Sequence, residues 1–333
     1  MQFLTTAIAL LSTAASLVHA APNPRAPASS KNILLTNDDG WAATNIRATY
    51  SKLKDAGYNV YMVAPVSQRS GFGGKFDVPT SPTLETDGGF SYPAAGAPSW
   101  GHEESDDHIW YFNGTPASCV AFGLTYLPEF FNKSIDYDLV VSGPNEGTNL
   151  SPGMFTLSGT IGATYNAVYR GLPAVAFSGS NGNNSFFKDD LDLNDNMSPP
   201  TIYATKITEF VDELLNGYGR ALPIGTGINV NFPNVGHLNE TCVDPTWVNT
   251  RLTGDFASGA DITYDKKSNS FVWTQTAWDA LAVCENGDCK LPSENYIVGY
   301  TNCSSSVSVF NIDYDADYYI EKKVQQAIGA LFN

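Results

Sequence analysis

The sequence predicts an α/β protein: a mostly parallel, Rossmann-like sheet with helices on both faces, followed by a β-rich C-terminal extension. Three observations carry this reading. Short β-rich apolar runs recur along the chain, and segments of helical periodicity separate several of them. The runs are nearly continuous in apolar residues rather than alternating, as parallel strands covered on both faces require. No internal repeat and no second independent core is evident.

Taken in order, the strands are "NILLT" (32–36), "NVYMVAP" (59–65), "YDLVVSG" (137–143), "PAVAFSG" (173–179) and "INVNFP" (228–233). The helical segment "NIRATYSKLKDAG" stops at Gly57, and "SGTIGATYNAVYRG" stops at Gly171. "PPTIYATKITEFVDELLNGYG" opens on proline and carries apolar residues at helical spacing. Strand, helix and strand at these distances make βαβ units. Residues 77–108 are rich in Pro, Gly, Ser and acids and predict a long loop or hairpin excursion. Residues 236–306 hold four cysteines and no long helical period, and "DADYYIEKKVQQAIGALF" closes the chain as a helix. The expected organisation is one domain over 31–333, with an α/β core over 31–235 and the extension and closing helix over 236–333.

Ahead of that domain, residues 1–20 read as a signal peptide. Phe3 to Val18 is apolar or small, and Val18 and Ala20 suit the positions before a cleavage site. Residues 21–30 read as a flexible leader. The chain is therefore expected to be secreted and extracellular. No later segment approaches the ~20 apolar residues of a membrane span.

Secretion makes disulfides plausible. Cys119 stands alone within "ASCVAFGL" and reads as a buried free thiol. Cys242, Cys284, Cys289 and Cys303 allow three pairings, among them Cys284 with Cys289 and Cys242 with Cys303. Glycosylation sequons start at Asn113, Asn132, Asn149, Asn183, Asn196, Asn239 and Asn302, and proline follows three of them, those at Asn113, Asn149 and Asn196.

Composition excludes some partners. A net charge of −16 argues against duplex nucleic acid and anionic membranes, but not against small phosphorylated molecules met by a local cation. No G-x-S-x-G occurs, and His102, His108 and His237 stand in loop-like contexts, which disfavours a serine hydrolase. The first strand is not followed by G-x-G-x-x-G, which disfavours a dinucleotide enzyme.

Ligands of open α/β sheets bind beyond the carboxyl ends of the strands. There the first strand delivers Asn37, Asp38, Asp39 and Gly40, and the second delivers Ser70 in a glycine-rich loop. A third delivers Asn145 and Asn149, and the next helix opens on Ser158, Gly159 and Thr160. Two adjacent acids at a strand end are by themselves a turn signal. Grouped with amide and hydroxyl oxygens, they form the ligand set preferred by Mg²⁺, Mn²⁺ or Ca²⁺, with Mg²⁺ or Mn²⁺ the expected cofactor. "SGT" is a helix cap by itself, and a helix N-terminus is also a seat for phosphate.

The motifs "ILLTNDDG", "VAPVSQRSGFGG", "FNGTPASCV", "DLVVSGPNEGTNL" and "SGTIGATYNAVYRGLPAVAFS" resemble, in order, those of the SurE family. That family comprises divalent-metal-dependent phosphomonoesterases, and secreted fungal acid phosphatases are the subgroup most similar. The resemblance covers about residues 31–180, with an echo at "GINVNFP". It implies a metal held by Asp38, Asp39, Ser70 and Asn145, with Asp38 and Asp39 as the catalytic acids acting on a metal-activated water. It implies substrate or phosphate contacts from Asn37, the Asn149 loop, Ser158, Gly159 and Thr160. Nucleoside monophosphates or general phosphate monoesters are the implied substrates, and a homodimer or homotetramer built with the extension is the implied assembly. An aspartyl-phosphate route through Asp38 is the alternative chemistry. The alternative function is an inactive secreted protein that binds metal or phosphate on the same fold.

The sequence also departs from the family pattern. Ser118 stands where the family has Asp, "WAATN" lacks an evident glycine, and the loop after Ser70 lacks the Thr-Gly-His pattern.

Overall fold

The computed structural model describes residues 31–332 apart from Tyr218, Glu285 and Asn286. The signal peptide and leader expected over 1–30 lie outside the described residues. A nine-stranded sheet runs in the order β3-β4-β2-β1-β5-β6-β7-β11-β8. Its strands are β1 (Asn32–Thr36), β2 (Asn59–Pro65), β3 (Trp100–His102), β4 (Ile109–Phe112), β5 (Leu139–Asn145), β6 (Ala174–Ser178), β7 (Thr226–Asn231), β8 (Thr246–Thr250) and β11 (Ser304–Asn311). From β4 to β7 every neighbouring pair is parallel. β3 is antiparallel to β4, and β11 is antiparallel to β7.

Side chains of each central strand alternate between two apolar layers, so both faces need helices. Ile33 and Leu35 join one layer with Met62, Val175, Phe177 and Val230. Helices α1 (Thr44–Asp55) and α6 (Pro199–Leu215) pack together and cover it with Ile46, Leu53, Ile207 and Val211. Leu34, Val63, Val140 and Ala176 join the other layer. There α2 (Pro116–Phe130) and α4 (Gly159–Tyr169) supply Val120, Leu127, Ile161 and Ala167. Cys119 is buried and free within this layer, as its apolar run implies.

The chain order creates one crevice. From β1 it moves outward through β2 to β4, then returns to β5 on the other side of β1. The carboxyl ends of β1 and β5 are therefore a topological switch point, where open α/β sheets bind ligands.

Three elements differ from expectation for physical reasons. α2 is apolar over most of its circumference and contains Pro128, so it lacks a clean helical stripe. β4 is only four residues long and follows an acidic loop. β11 reads as part of a peripheral extension, yet it pairs with β7 and brings β8 into the main sheet. The excursion over 77–108 is largely irregular and ends in the short β3–β4 hairpin. It is held down by Trp41 stacked on Tyr92 at 4.8 Å and by the Arg47–Glu103 ion pair at 2.7 Å.

Two disulfides are present, Cys242–Cys303 and Cys284–Cys289. The first spans 61 residues and pins the loop before β8 to the start of β11, whereas the second spans 5. Loop-closure entropy makes the long bridge worth about 4 kcal/mol and the short one about 2 kcal/mol. Replacing Cys242 and Cys303 by Ala is expected to lower the free energy of urea unfolding by roughly twice as much as replacing Cys284 and Cys289. Equal losses would contradict this ordering.

Candidate functional site

After β1 the chain turns sharply. Gly40 takes φ +108°, a conformation that L side chains rarely adopt, and packs against the backbone of Pro65 and Ser67. Asn37 closes this turn: its Nδ2 donates to the Gly40 carbonyl at 3.1 Å, and its Oδ1 accepts the Gly40 N–H at 3.2 Å. Asp38 and Asp39 are thereby fixed at the strand end, 1% and 3% exposed.

Each acid has distinct partners. Asp38 Oδ1 accepts from the Thr160 hydroxyl at 2.7 Å, and backbone N–H groups of Gly159 and Thr160 also reach its carboxylate. The N-terminus of α4 thus points at Asp38. This approach requires Gly159, because a Cβ there would meet Asp38 Cβ at 2.9 Å and the Arg69 carbonyl at 3.1 Å. One turn on, a Cβ at Gly162 would overlap the Gly73 carbonyl. Ser158 caps the same helix, accepting the Ile161 N–H at 3.2 Å. Asp39 Oδ2 accepts the Glu146 N–H at 2.9 Å, and the Gln68 side chain bonds the same carboxylate. Asn184 donates to the Asp39 carbonyl at 3.1 Å.

From the other side of the crevice, β5 delivers Asn145 through an irregularity in its pairing with β6 between Ser142 and Asn145. Its amide nitrogen donates to the Gly147 carbonyl at 2.6 Å, which leaves Oδ1 directed to Thr160 Oγ1 at 3.4 Å. Thr160 therefore sits between Asp38 and Asn145. Ser70 is exposed on the glycine-rich loop, next to Arg69, whose N–H donates to the Asp38 carbonyl at 2.6 Å. Asn149 is buried and committed: its N–H donates to Asn231 Oδ1 and its Nδ2 to Ser178 Oγ, both at 2.7 Å.

Sequence reasoning passed over Glu146. It stands inside the motif "SGPNEGTN", where an acid beside Asn145 was the available signal. Its Oε2 is buried and has no hydrogen-bond partner among the described residues. Burial pushes its carboxyl up to about 7. Burial also raises Asp38, and it raises Asp39 well above the usual carboxylate range with help from the charges of Asp38 and Glu146. Gln68, Arg69 and Asn184 were missed as well, because their roles depend on contacts made far along the chain.

A second acidic group lies elsewhere. Asp106, Asp107 and His108 have ligand atoms within 4.8 Å of one another, a closer grouping than the crevice acids make. They precede β4 and so lie at the end of the sheet opposite the crevice. Asp106 is already paired with Lys54 at 2.7 Å and with the Tyr50 hydroxyl at 2.8 Å. Among the described residues the crevice acids have no such ion pair.

The fold and the crevice define an α/β protein with an acidic, hydroxyl-bearing site against a helix N-terminus. Residues 33–253 match the family described as Survival protein SurE, and the chain belongs to that family. It is 44% identical over 333 residues to an acid phosphatase of Yarrowia lipolytica, covering 95% of this chain and 92% of that protein. It is 30% identical over 305 residues to a 5'-nucleotidase SurE of Acinetobacter baumannii, covering 90% of this chain and all of that protein. Among solved structures, the SurE protein from Aquifex aeolicus superposes with a TM-score of 0.59 at 25% identity, over 89% of this chain and 99% of that one. Ser118, where the family has Asp, occupies the third position of α2, and its Oγ accepts the Thr115 N–H at 2.9 Å in a capping box.

The raised carboxyls give stability a defined pH dependence. A carboxyl that holds its proton more tightly when folded stabilises the protein at low pH, and this contribution fades as pH rises through the folded pKa. For Glu146 the window runs from 4.5 to about 7. In chelator, the melting temperature is expected to fall between pH 5 and pH 8, and to fall less in Glu146→Gln. A variant with the wild-type slope would show that Glu146 does not contribute.

Proposed function

We propose that this chain is a secreted, divalent-metal-dependent phosphomonoesterase of the acid phosphatase or nucleotidase type. The observation that carries the reading is the pair of buried acids Asp38 and Asp39 beside a helix N-terminus, with the half-buried Glu146 next to Asp39 and its Oε2 left without a partner among the described residues. Buried carboxylates of like sign are costly unless a cation or protons neutralise them. Membership of a family with an acid phosphatase and a 5'-nucleotidase among its named relatives gives hydrolysis of phosphate monoesters as the activity.

The donor set is all oxygen and fits a hard cation. Asp38, Asp39, Asn145 and Ser70 would hold Mg²⁺ or Mn²⁺. When bound, such a cation would polarise a phosphoryl oxygen and make a water more acidic. The remaining work falls to the chain. Thr160 orients Asp38 through its hydroxyl, and Asp39, held by the Glu146 N–H, would take a proton from the attacking water. Ser158, Gly159 and Thr160 begin α4, where N–H groups would receive phosphoryl oxygens. Asn37 and Asn149 act by shaping the loops on either side of the crevice.

Hydrolysis of p-nitrophenyl phosphate with and without chelator tests this. Asp38→Asn is expected to retain the fold and lose at least about 10²–10³-fold in kcat. Unimpaired turnover by that variant in chelator would overturn the metal-dependent reading, and an inactive wild type would favour a binding protein.

Secretion is supported by the two disulfides and by the apolar, small-residue N-terminus. Asn132, Asn183 and Asn302 are exposed and suit glycans, whereas Asn149 is buried and cannot carry one in the folded protein. The hairpin of β9 (Gly259–Asp265) and β10 (Ser270–Thr276) exposes Ile262, Phe271 and Trp273. A two-stranded hairpin is marginal in water, so a second copy is the natural cover, giving a homodimer or homotetramer. Light scattering of protein from a secreting host, before and after glycosidase, is expected to show two or four protomers and a loss of mass. A monomer, or no change on deglycosylation, would contradict the respective part.

A further inference from the structure

We propose that Glu294, in the C-terminal extension, is a positioning residue that fixes the loop Gly147–Leu150 between Asn145 and the helix α3 (Ser151–Leu157). The proposal rests on the phosphomonoesterase reading of the crevice, because that loop borders the place where phosphate would sit. Glu294 opens the short helix α8 (Glu294–Tyr300) and is fully buried. Its carboxyl meets three other parts of the fold. Oε1 accepts the Ser151 N–H at 2.7 Å, and Oε2 accepts from Asn229 Nδ2 at 3.2 Å and from Ser308 Oγ at 2.9 Å.

The residue at the far end of the first bond needs holding. Ser151 has φ +67°, the left-handed region, which a residue with a side chain rarely adopts unless its neighbours hold it there. Its N–H is taken by Glu294, its Oγ bonds Asn295 Oδ1, and the same Oγ accepts the Ser258 N–H at 3.1 Å. The extension therefore supplies all three of these contacts to the first residue of α3.

The second branch runs into the crevice. The two protons of Asn229 Nδ2 are divided between Glu294 and the Asn149 carbonyl, the latter at 3.0 Å. Asn149 is also bound through its N–H to Asn231 and through its amide to Ser178. Ser178 is the residue that pairs with Asn145 across β5 and β6. A continuous set of contacts thus leads from Glu294 through Asn229, Asn149 and Ser178 to Asn145. Burial also pushes the Glu294 carboxyl up to about 8. A protonated Glu294 would donate to Ser308 Oγ, whose hydroxyl is 2.7 Å from that of Thr250. A glutamine can give an oxygen to Ser151 and one N–H to Ser308, but its nitrogen cannot accept from Asn229 Nδ2, so it keeps the Ser151 bond and loses the branch to Asn149, whereas alanine and methionine lose both.

The test compares full-length Glu294→Gln, Glu294→Ala and Glu294→Met, the last retaining volume if the alanine variant fails to fold. Amide exchange over residues 147–157 is read by mass spectrometry, together with Mn²⁺ affinity, KM for p-nitrophenyl phosphate and inhibition by inorganic phosphate. Removing a carboxyl that holds one strained N–H and one shared amide is expected to raise exchange in that segment, KM and the inhibition constant by about tenfold each. Mn²⁺ affinity stays within about twofold, since the ligands are untouched, and Glu294→Gln, which keeps the Ser151 bond but not the Asn229 one, falls between the wild type and Glu294→Met. Wild-type exchange and phosphate inhibition in folded Glu294→Met would overturn the proposal, as would a uniform rise in exchange over the whole chain with parallel loss of Mn²⁺ binding. Amide exchange needs no turnover, so an inactive wild type would count against the hydrolase reading and leave the loop measurement decisive.

Discussion

Two carboxylates at the end of a strand buried from Ile33 onward set the terms for the surrounding structure. Asp38 and Asp39 have almost no contact with solvent, and each is raised in proton affinity by that burial. Neither has a lysine or arginine in direct contact among the described ion pairs. What they have instead are dipoles: the Thr160 hydroxyl, the N–H groups that begin α4, and the N–H of Glu146. Such partners lower the cost of a buried charge without cancelling it, which leaves a demand for a cation or protons.

The close approach of α4 follows from that demand. A helix N-terminus helps an anion only within its first turn, so its backbone must come within touching distance of Asp38. Gly159 and Gly162 make this possible, one against Asp38 and the other against the carbonyl of Gly73. The glycine-rich loop after β2 is thereby packed against the same helix that faces the acids. Ser70 is carried on that loop, so its position depends on the same two glycines. The sequence "SGTIG" thus joins a cap, a dipole and two close contacts in five residues.

The sheet was largely legible because its central strands are buried on both faces and their apolar runs are bounded by turn residues. β1, β2, β5, β6 and β7 all fall within two or three residues of the runs that predict them. α2 was not legible, since a helix packed on the sheet with α4 along its side has only a narrow exposed stripe. β11 was hidden because its inward face is made of serines: Ser306 and Ser308 are fully buried, and Val309 is exposed. At the site, adjacency made Asp38 and Asp39 readable, and the strand-end rule brought Asn145, Ser158 and Thr160 to them. The commitments of Asn37 and Asn149 were not readable, because an amide looks the same in sequence whether it faces a ligand or braces a turn. Glu146 escaped for the opposite reason: its burial comes from the fold around it, with Ser185 brought to its side by the chain after β6.

The serines of β11 explain why the extension belongs to the site. Ser308 would be a poor choice for a strand that only closes a core, since its hydroxyl must be satisfied there. It is satisfied by Glu294 and Thr250, and Glu294 in turn holds Ser151. β11 also presents Phe310 to Phe155 of α3 and Tyr165 of α4 at 5.1 and 5.2 Å. The same strand therefore meets the two helices that follow the crevice loop, once through polar contacts and once through aromatic ones. Strands β8 and β11 are added at the end of the sheet remote from Asp38, yet their contacts return to the segment beside Asn145. A surface assembled by the extension, such as the exposed β9–β10 hairpin, is joined to that segment through Ser258 and Gly259, which lie against Ser151 and Gly153.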